Sequence, residues 1–501
     1  MMPQLHDSGN RGHACASTHV DDFARIFGIE TEYGVSVTGA SRPCDAGQVA
    51  MMMFQPIMRR VRSTNTYLTN GSRLYLDVGA HPEYATAEAR TPGDATLADG
   101  AGERIMRDMA LDAQRRLRET HGEHATVHLF KNNADSAGHS FGCHENYLVR
   151  RGVALTQIET QLLPFLITRQ IFTGAGRFDG ARWHVTQRAA FVDETVSSAT
   201  TRSRPMINTR DEPHADPESF RRLHVIIGDS NRSQWATMMK LATTHLVLCL
   251  MEWGARHAAP TGLESIALAD PVEANLAVDT DGARATLRLA DGTTTSPLAL
   301  QRRVLGAVLH FVDARRDEVA ASLAGDPLTT LDEVLGDWGR GLDALDDGDD
   351  DGDDGAESLA DRADWACKRR FAARLAARGT VDPMRLAQLD LDYHDIANGA
   401  LFDSLTRHGM MRTLCDDAQI EAAVTTPPAG TRAVLRGAFV DHAEAAPVTW
   451  SCDWTQLRLT EPVKDEVMIL DPFDAVGDER YAQLLALVDA AGDAGEGDAA
   501  V

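Results

Sequence analysis

Residues Arg25 to Val35 read RIFGIETEYGV, and the spacing within this stretch decides the fold. Phe27, Ile29, Thr31, Tyr33 and Val35 alternate with Ile26, Gly28, Glu30, Glu32 and Gly34, and a period of two is that of a strand. One face is mostly apolar and packs on a core, so Glu30 and Glu32 project side by side from the other. Carboxylates held that close raise each other's proton affinity unless a cation stands between them. A half-exposed strand with solvated glutamates accounts for this segment equally well.

Working outward, Arg73 to Val78 reads RLYLDV, which places Arg73, Tyr75 and Asp77 on one face and Leu74, Leu76 and Val78 on the other. After a turn through Gly79, His81 and Pro82, the run Glu83 to Glu88 returns as the partner strand of a hairpin. Two strands then bring carboxylates, a guanidinium and hydroxyls to one surface. Asn132 to Tyr147 is dense in polar residues ahead of Leu148 and Val149, as in a loop that enters a strand at a site. Ser197 to Asp216 reads as a long polar loop with Arg202, Arg204 and Arg210, suited to an anion, and the strand-like LHVIIGDSN with His224 follows. His144 and His224, each taken alone, suit a structural hydrogen-bonding role as well as a ligand's. No GxxxxGK[ST], GxSxG or HExxH element occurs. A carboxylate-rich sheet face with arginines suits Mg²⁺ and phosphate, because Mg²⁺ takes hard oxygen donors and bridges carboxylates to phosphates.

The 501 residues carry 49 basic and 74 acidic side chains, a net −25. A surface so charged repels nucleic acid and anionic lipid at long range, so neither partner is expected. The apolar run Leu246 to Met251 lies in a helical stretch from Trp235 to Trp253 that Lys240, His245 and Glu252 interrupt, too short to span a bilayer. Seven scattered cysteines (Cys15, Cys44, Cys143, Cys249, Cys367, Cys415 and Cys452) form no disulfide or zinc pattern, and no secretory leader is legible; the expectation is a cytoplasmic protein. Residues 1–21 read as a flexible extension, 22–415 as the catalytic domain, 416–489 as a small C-terminal domain and 490–501 as a disordered tail. Eight of the twelve residues 346–357 are acidic, which gives a solvated loop. The basic helical segment Trp365 to Arg378 beyond it is either an exposed face beside that loop or a binding surface.

GIETEYGV, NGSRLYLDVGAHPEYATAE, FKNNADSAGHSFGCHENYL, SSATTRSRPMINTRDEPHAD, RLHVIIGDSN and AQLDLDYHDI together resemble the Pup ligase family, the proteasome accessory factor A type, over roughly residues 25 to 485. The resemblance implies an α+β, glutamine synthetase-like fold: a curved antiparallel sheet backed by helices, with a small C-terminal domain. It also implies ATP-dependent joining of the C-terminal glutamate side chain of the small protein Pup to lysine amines of target proteins, through a γ-glutamyl phosphate, as a mark for the proteasome. On the matching motifs Glu30, Tyr75 and Glu83 fall on Mg²⁺ positions, Arg73, Thr86 and Trp454 on ATP contacts, and Asp77 on the catalytic base. Glu32, Arg188, His144 and His224 fall on further positions of the metal and phosphate site. The rival within the superfamily is the depupylase, a Pup deamidase with the same site and typically a long loop between the first strand and the Arg-x-Tyr-x-Asp strand. Only 37 residues separate Val35 from Arg73, and Gln48 to Arg62 reads there as an amphipathic helix.

Overall fold

The stretch expected as one strand is divided by Tyr33 into two strands that belong to different sheets. β1 (Phe27–Glu32) enters the main sheet and β2 (Gly34–Thr38) pairs instead with β6 (Thr126–Phe130). Tyr33 stands at the switch: its N–H donates to Pro82 O at 2.9 Å, continuing the β1 to β5 ladder by one residue, its ring is fully buried, and Gly34 already pairs with Phe130. The computed structural model describes residues 23–77, 79–135, 138–197, 204–346, 356–379 and 381–498, with side chains up to residue 492. The N-terminal extension, most of the acidic run and Arg202 lie outside the described residues.

Between β2 and the hairpin, α1 (Ala46–Val61) starts on the Asp45 cap, whose carboxylate accepts the Gln48 N–H at 2.9 Å. The strands β3 (Asn65–Tyr67), β4 (Arg73–Leu76) and β5 (Pro82–Ala85) follow, with β4 and β5 forming the expected hairpin in the register Tyr75 to Glu83. β7 (Cys143–Arg150) lies on the other side of β1, and a small ribbon, β8 (Arg177–Phe178) with β9 (Trp183–His184), stands apart. β10 (Glu194–Ser197), β11 (Pro205–Asn208) and β12 (Phe220–Val225) complete the sheet, in the order β10-β11-β12-β7-β1-β5-β4-β3. The sheet is mixed rather than wholly antiparallel, because β10 and β11 run parallel at its edge. The polar stretch Ser197 to Asp216, expected as loop, contains the strand β11, which lies between β10 and β12 and is buried along its length.

The pleat sorts the side chains. Phe27, Ile29, Leu74, Tyr84, Tyr147 and Leu223 are buried on the rear face, against α2 (Pro92–His121) and the helix Gln234–His257. The latter helix is buried along most of its length because both of its sides are covered, and among the described residues no helix is long and apolar enough to cross a membrane. The helix Asp364–Ala376 is less exposed than its basic composition implies: Lys368 is buried, donating to Gly176 O at 2.7 Å and Asp390 Oδ1 at 2.5 Å.

The C-terminal part has its own apolar cluster, which begins at Leu435 and includes Phe439, Leu457, Leu459, Val467, Leu484 and Val488. The helix Asp417–Thr425, placed in that part from sequence, instead lies along α2, where Arg104 holds Asp417 at 3.0 Å and Glu421 at 3.1 Å. The final helix Glu479–Asp498 runs past residue 490, where a tail was expected. Leu484 and Val488 anchor it, and the alanines beyond extend a helix already nucleated.

α2 reaches the sheet by way of small residues. A Cβ on Gly102 would stand 2.2 Å from Cδ1 of Tyr84, and that ring is pinned through its hydroxyl, which donates to Ser72 Oγ at 2.8 Å and accepts from Asn70 Nδ2 at 3.1 Å. Gly102→Ala is therefore expected to lower stability in urea unfolding, since overpacking of about 1–3 kcal/mol outweighs a helix-propensity gain of up to about 1 kcal/mol. An unchanged or raised midpoint would show that Tyr84 can yield.

Candidate functional site

Backbone register alone brings most of the expected site residues onto the front face. Glu30 stands opposite His144 on β7 and Ala85 on β5, Glu32 opposite Glu83, Tyr75 opposite Glu83, and His224 opposite Asn146. Two clusters result: Glu32, Asp77 and Glu83 form one, and Glu30, His144 and His224 the other, each with ligand-capable atoms within 4.8 Å of one another. They meet at Gly142, where an added Cβ would stand 2.5 Å from His144 Nε2 and 2.6 Å from Glu32 Oε1. Only a residue without a side chain leaves that space open.

The electrostatics identify what the face lacks. Burial, with the charges of Glu30 and Glu32 adding to it, pushes the Glu83 carboxyl well above the usual range, although a hydrogen bond with Tyr75 works the other way. Burial likewise raises the Tyr75 phenol, with Glu83 and Glu30 opposing its ionisation, so it stays a neutral hydroxyl. Glu30 has a cationic neighbour: burial alone would raise its pKa, but the His144 hydrogen bond (3.2 Å) and the Arg222 guanidinium hold it well below the carboxylate range. Burial lowers His224 to about 3, so this imidazole is neutral. Its Nδ1 lies 2.8 Å from Asn146 Oδ1, which only accepts, so Nδ1 carries the proton and Nε2 keeps its lone pair. Hard oxygen donors without a matching cation fit Mg²⁺, and neutral imidazoles can border it.

The cations stand around this group. Arg73 donates from Nε to Asn65 Oδ1 at 2.9 Å and lies over the Tyr75 ring at 4.4 Å. Arg188 is buried, bonds Ile226 O at 2.7 Å and acts electrostatically with Glu32, while its Nε has no partner among the described residues. Beside the clusters opens a small cleft lined by the polar Glu30, Asn146 and Arg222 and the apolar Ile26, Leu148, Trp454 and Pro472. Trp454 is half-buried in the cleft wall rather than in a core. Thr86 also lines the cleft, and its Oγ1 accepts the Ile29 N–H at 2.9 Å. Apolar and charged side chains together are the kind of lining that suits the base and phosphates of a nucleotide.

Sequence reasoning overlooked several contributors. Asn146 donates to Glu30 Oε1 at 3.0 Å, and Arg222 Nη1 stands 3.6 Å from the same atom. Both were legible, because Asn146 is two residues beyond His144 and Arg222 two before His224 on strands of period two. Glu88, Arg432 and Arg436 join in the cleft wall across more than 340 residues, and no local pattern announces that contact.

Residues 25–458 match the family model described as Pup-ligase protein. The chain is 62% identical over 487 residues to the Pup–protein ligase of Bifidobacterium animalis subsp. lactis, covering 97% of each. It is 60% identical over 494 residues to that of Bifidobacterium dentium, covering 97% of this chain and 99% of the other. Among solved structures, it superposes with a TM-score of 0.84 and 37% identity on the complex between prokaryotic ubiquitin-like protein Pup and its ligase PafA, over 95% of this chain and 94% of that one. The Pup ligase PafA in complex with ADP gives a TM-score of 0.75 and 37% identity, over 88% and 94%. With most of its length matched by the family model and near-full-length relatives at such identity, the chain belongs to the Pup-ligase family.

Proposed function

We propose that this chain is an ATP-dependent ligase that joins the C-terminal glutamate side chain of Pup to lysine amines of target proteins and so marks them for the proteasome. The observation that carries the reading is the 62% identity, over 97% of both chains, to a protein named as a Pup–protein ligase. The carboxylate face and the adjoining cleft supply the chemistry. The span between Val35 and Arg73, filled by α1 and β3, favours ligase over depupylase. The six described cysteines are free thiols, in keeping with a reducing cytoplasm.

Activation must precede joining, because a free carboxylate has no leaving group until one of its oxygens is phosphorylated. Glu30, Tyr75 and Glu83 would hold Mg²⁺, with Glu32, His144 and His224 around it. When bound, the ion would supply positive charge against phosphate oxygens. Arg73 and Arg188 offer planar donors to phosphate oxygens, while Thr86 and Trp454 border the nucleotide. A lysine amine has an ordinary pKa of about 10.4, so it arrives protonated. Asp77 takes that proton: it stands at the end of β4, fixed by its N–H bond to His81 O at 2.9 Å and next to Glu32 and Glu83. The surrounding carboxylates also draw the ammonium group inward.

Asp77→Asn keeps shape and loses basicity, so conjugation is expected to fall about 10²- to 10⁴-fold while ADP still binds; conjugation within a few-fold of wild type would remove Asp77 from the role. Glu83→Ala acts earlier and is expected to abolish ADP formation and to weaken Mg²⁺-dependent nucleotide binding, as measured by calorimetry; wild-type binding would refute the metal assignment. The activity itself is tested with ATP and two forms of Pup in parallel. Pup ending in glutamate, with a lysine-bearing acceptor, is expected to give a conjugate by mass and stoichiometric ADP. Pup ending in glutamine should stay largely unchanged, and its rapid deamidation without conjugation would reassign the chain to the hydrolases.

A further inference from the structure

Two guanidiniums converge on one carboxylate in the wall of the cleft. Glu88 Oε1 accepts from Arg432 Nε at 2.7 Å and from Arg436 Nη1 at 3.3 Å, and Oε2 accepts from Arg436 Nη2. All three side chains are buried, and the two arginines hold the Glu88 carboxyl down at about 2 against the effect of burial. The remaining donors go to backbone. Arg432 Nη1 reaches His214 O at 2.6 Å, Leu470 O at 3.0 Å and Ile469 O at 3.2 Å. Arg436 reaches Gly71 O at 2.9 Å and Trp454 O at 3.2 Å, and its guanidinium lies 4.9 Å from the Trp454 ring centre. Tyr67 meets the other side of this arrangement, edge-on to Trp454 at 5.2 Å.

The groups held in this way form one side of the cleft. Pro213, His214, Arg432, Trp454 and Pro472 line it together with Gly28, Glu30 and Thr86. They come from separate stretches of chain, and the Glu88 carboxylate is their common point of attachment, two residues beyond Thr86. We propose that Glu88 and Arg436 are positioning residues for the nucleotide. Glu88 fixes Arg436 against Trp454 and Arg432 against the carbonyls of residues 214, 469 and 470, and so sets the C-terminal side of the cleft at its working distance. Neither side chain touches a reacting atom. This inference rests on the ATP-dependent reading above, and it implies that nucleotide affinity and the chemical step depend on different residues.

The test uses the full chain with Arg436→Lys and Glu88→Gln. Lysine keeps a charge for Glu88 but gives up the forked donors and the flat face against Trp454, so Arg436→Lys is expected to fold even where Glu88→Gln, which leaves buried arginines without their counter-charge, does not. With Mg²⁺ and ADP as the probe, calorimetry is expected to show Kd raised about tenfold or more for Arg436→Lys, and KM for ATP in Pup conjugation to rise in parallel while kcat at saturating ATP stays within about threefold. A merely structural role would instead lower the active fraction, reducing kcat with KM unchanged, and that outcome overturns the proposal. Wild-type Kd and KM in Arg436→Lys overturn it as well. Should the wild-type chain bind ADP yet fail to conjugate Pup, the ligase reading fails, and the comparison of ADP affinities still decides the role of the triad.

Discussion

Repulsion between carboxylates on a single sheet face is the constraint around which this molecule is arranged. Glu30, Glu32, Glu83 and Asp77 are brought together by strand register, which is fixed by backbone hydrogen bonds and by the apolar residues behind it. A strand slipped by one residue would turn these acids into the core. The sheet is therefore held firmly from the rear, where α2 packs through Gly102 against a pinned Tyr84 and the helix Gln234–His257 is almost wholly enclosed. Even the charges on that side are closed pairs: Glu145 with Arg169 at 2.5 Å and Arg25 with Glu252 at 2.7 Å. Such pairs add little net stability when buried, but each neutralises its own charge behind the strands that carry the site.

The two clusters differ in how their charge is answered. Glu30 has imidazole, amide and guanidinium neighbours and is ionised, whereas Glu83 has carboxylates as neighbours and resists ionisation. That inequality within a few ångströms gives the face a direction. The electron-rich side lies toward the β4 to β5 hairpin, where Asp77 stands, and the compensated side toward β7 and β12.

Strand periodicity made much of this legible in the sequence. Glu30 with Glu32, and Arg73 with Tyr75 and Asp77, declare their faces by spacing alone, and the hairpin followed from the turn between them. Tyr33 was misread because its apolar alternation continues through the break, while the change of partner from β5 to β6 is a long-range pairing that no local pattern encodes. β11 was missed because it is only four residues long and sits inside an otherwise polar run. The small C-terminal unit was placed too early, because Asp417 and Glu421 look like the start of something new until Arg104 on α2 is seen to hold them. The Glu88 triad is the extreme case, with its members in segments that only folding brings together.

The cleft also has an order of construction. Its floor, from Gly28 to Glu88, is made early in synthesis, and its last wall, from Arg432 to Pro472, close to the end. At about 5–20 residues per second on the ribosome, tens of seconds separate the two. During that interval a nascent chain carries the acids of the sheet but only part of the cleft lining. A chain cut short before residue 432 would lack Arg432, Trp454 and Pro472, and with them the C-terminal contribution to the cleft.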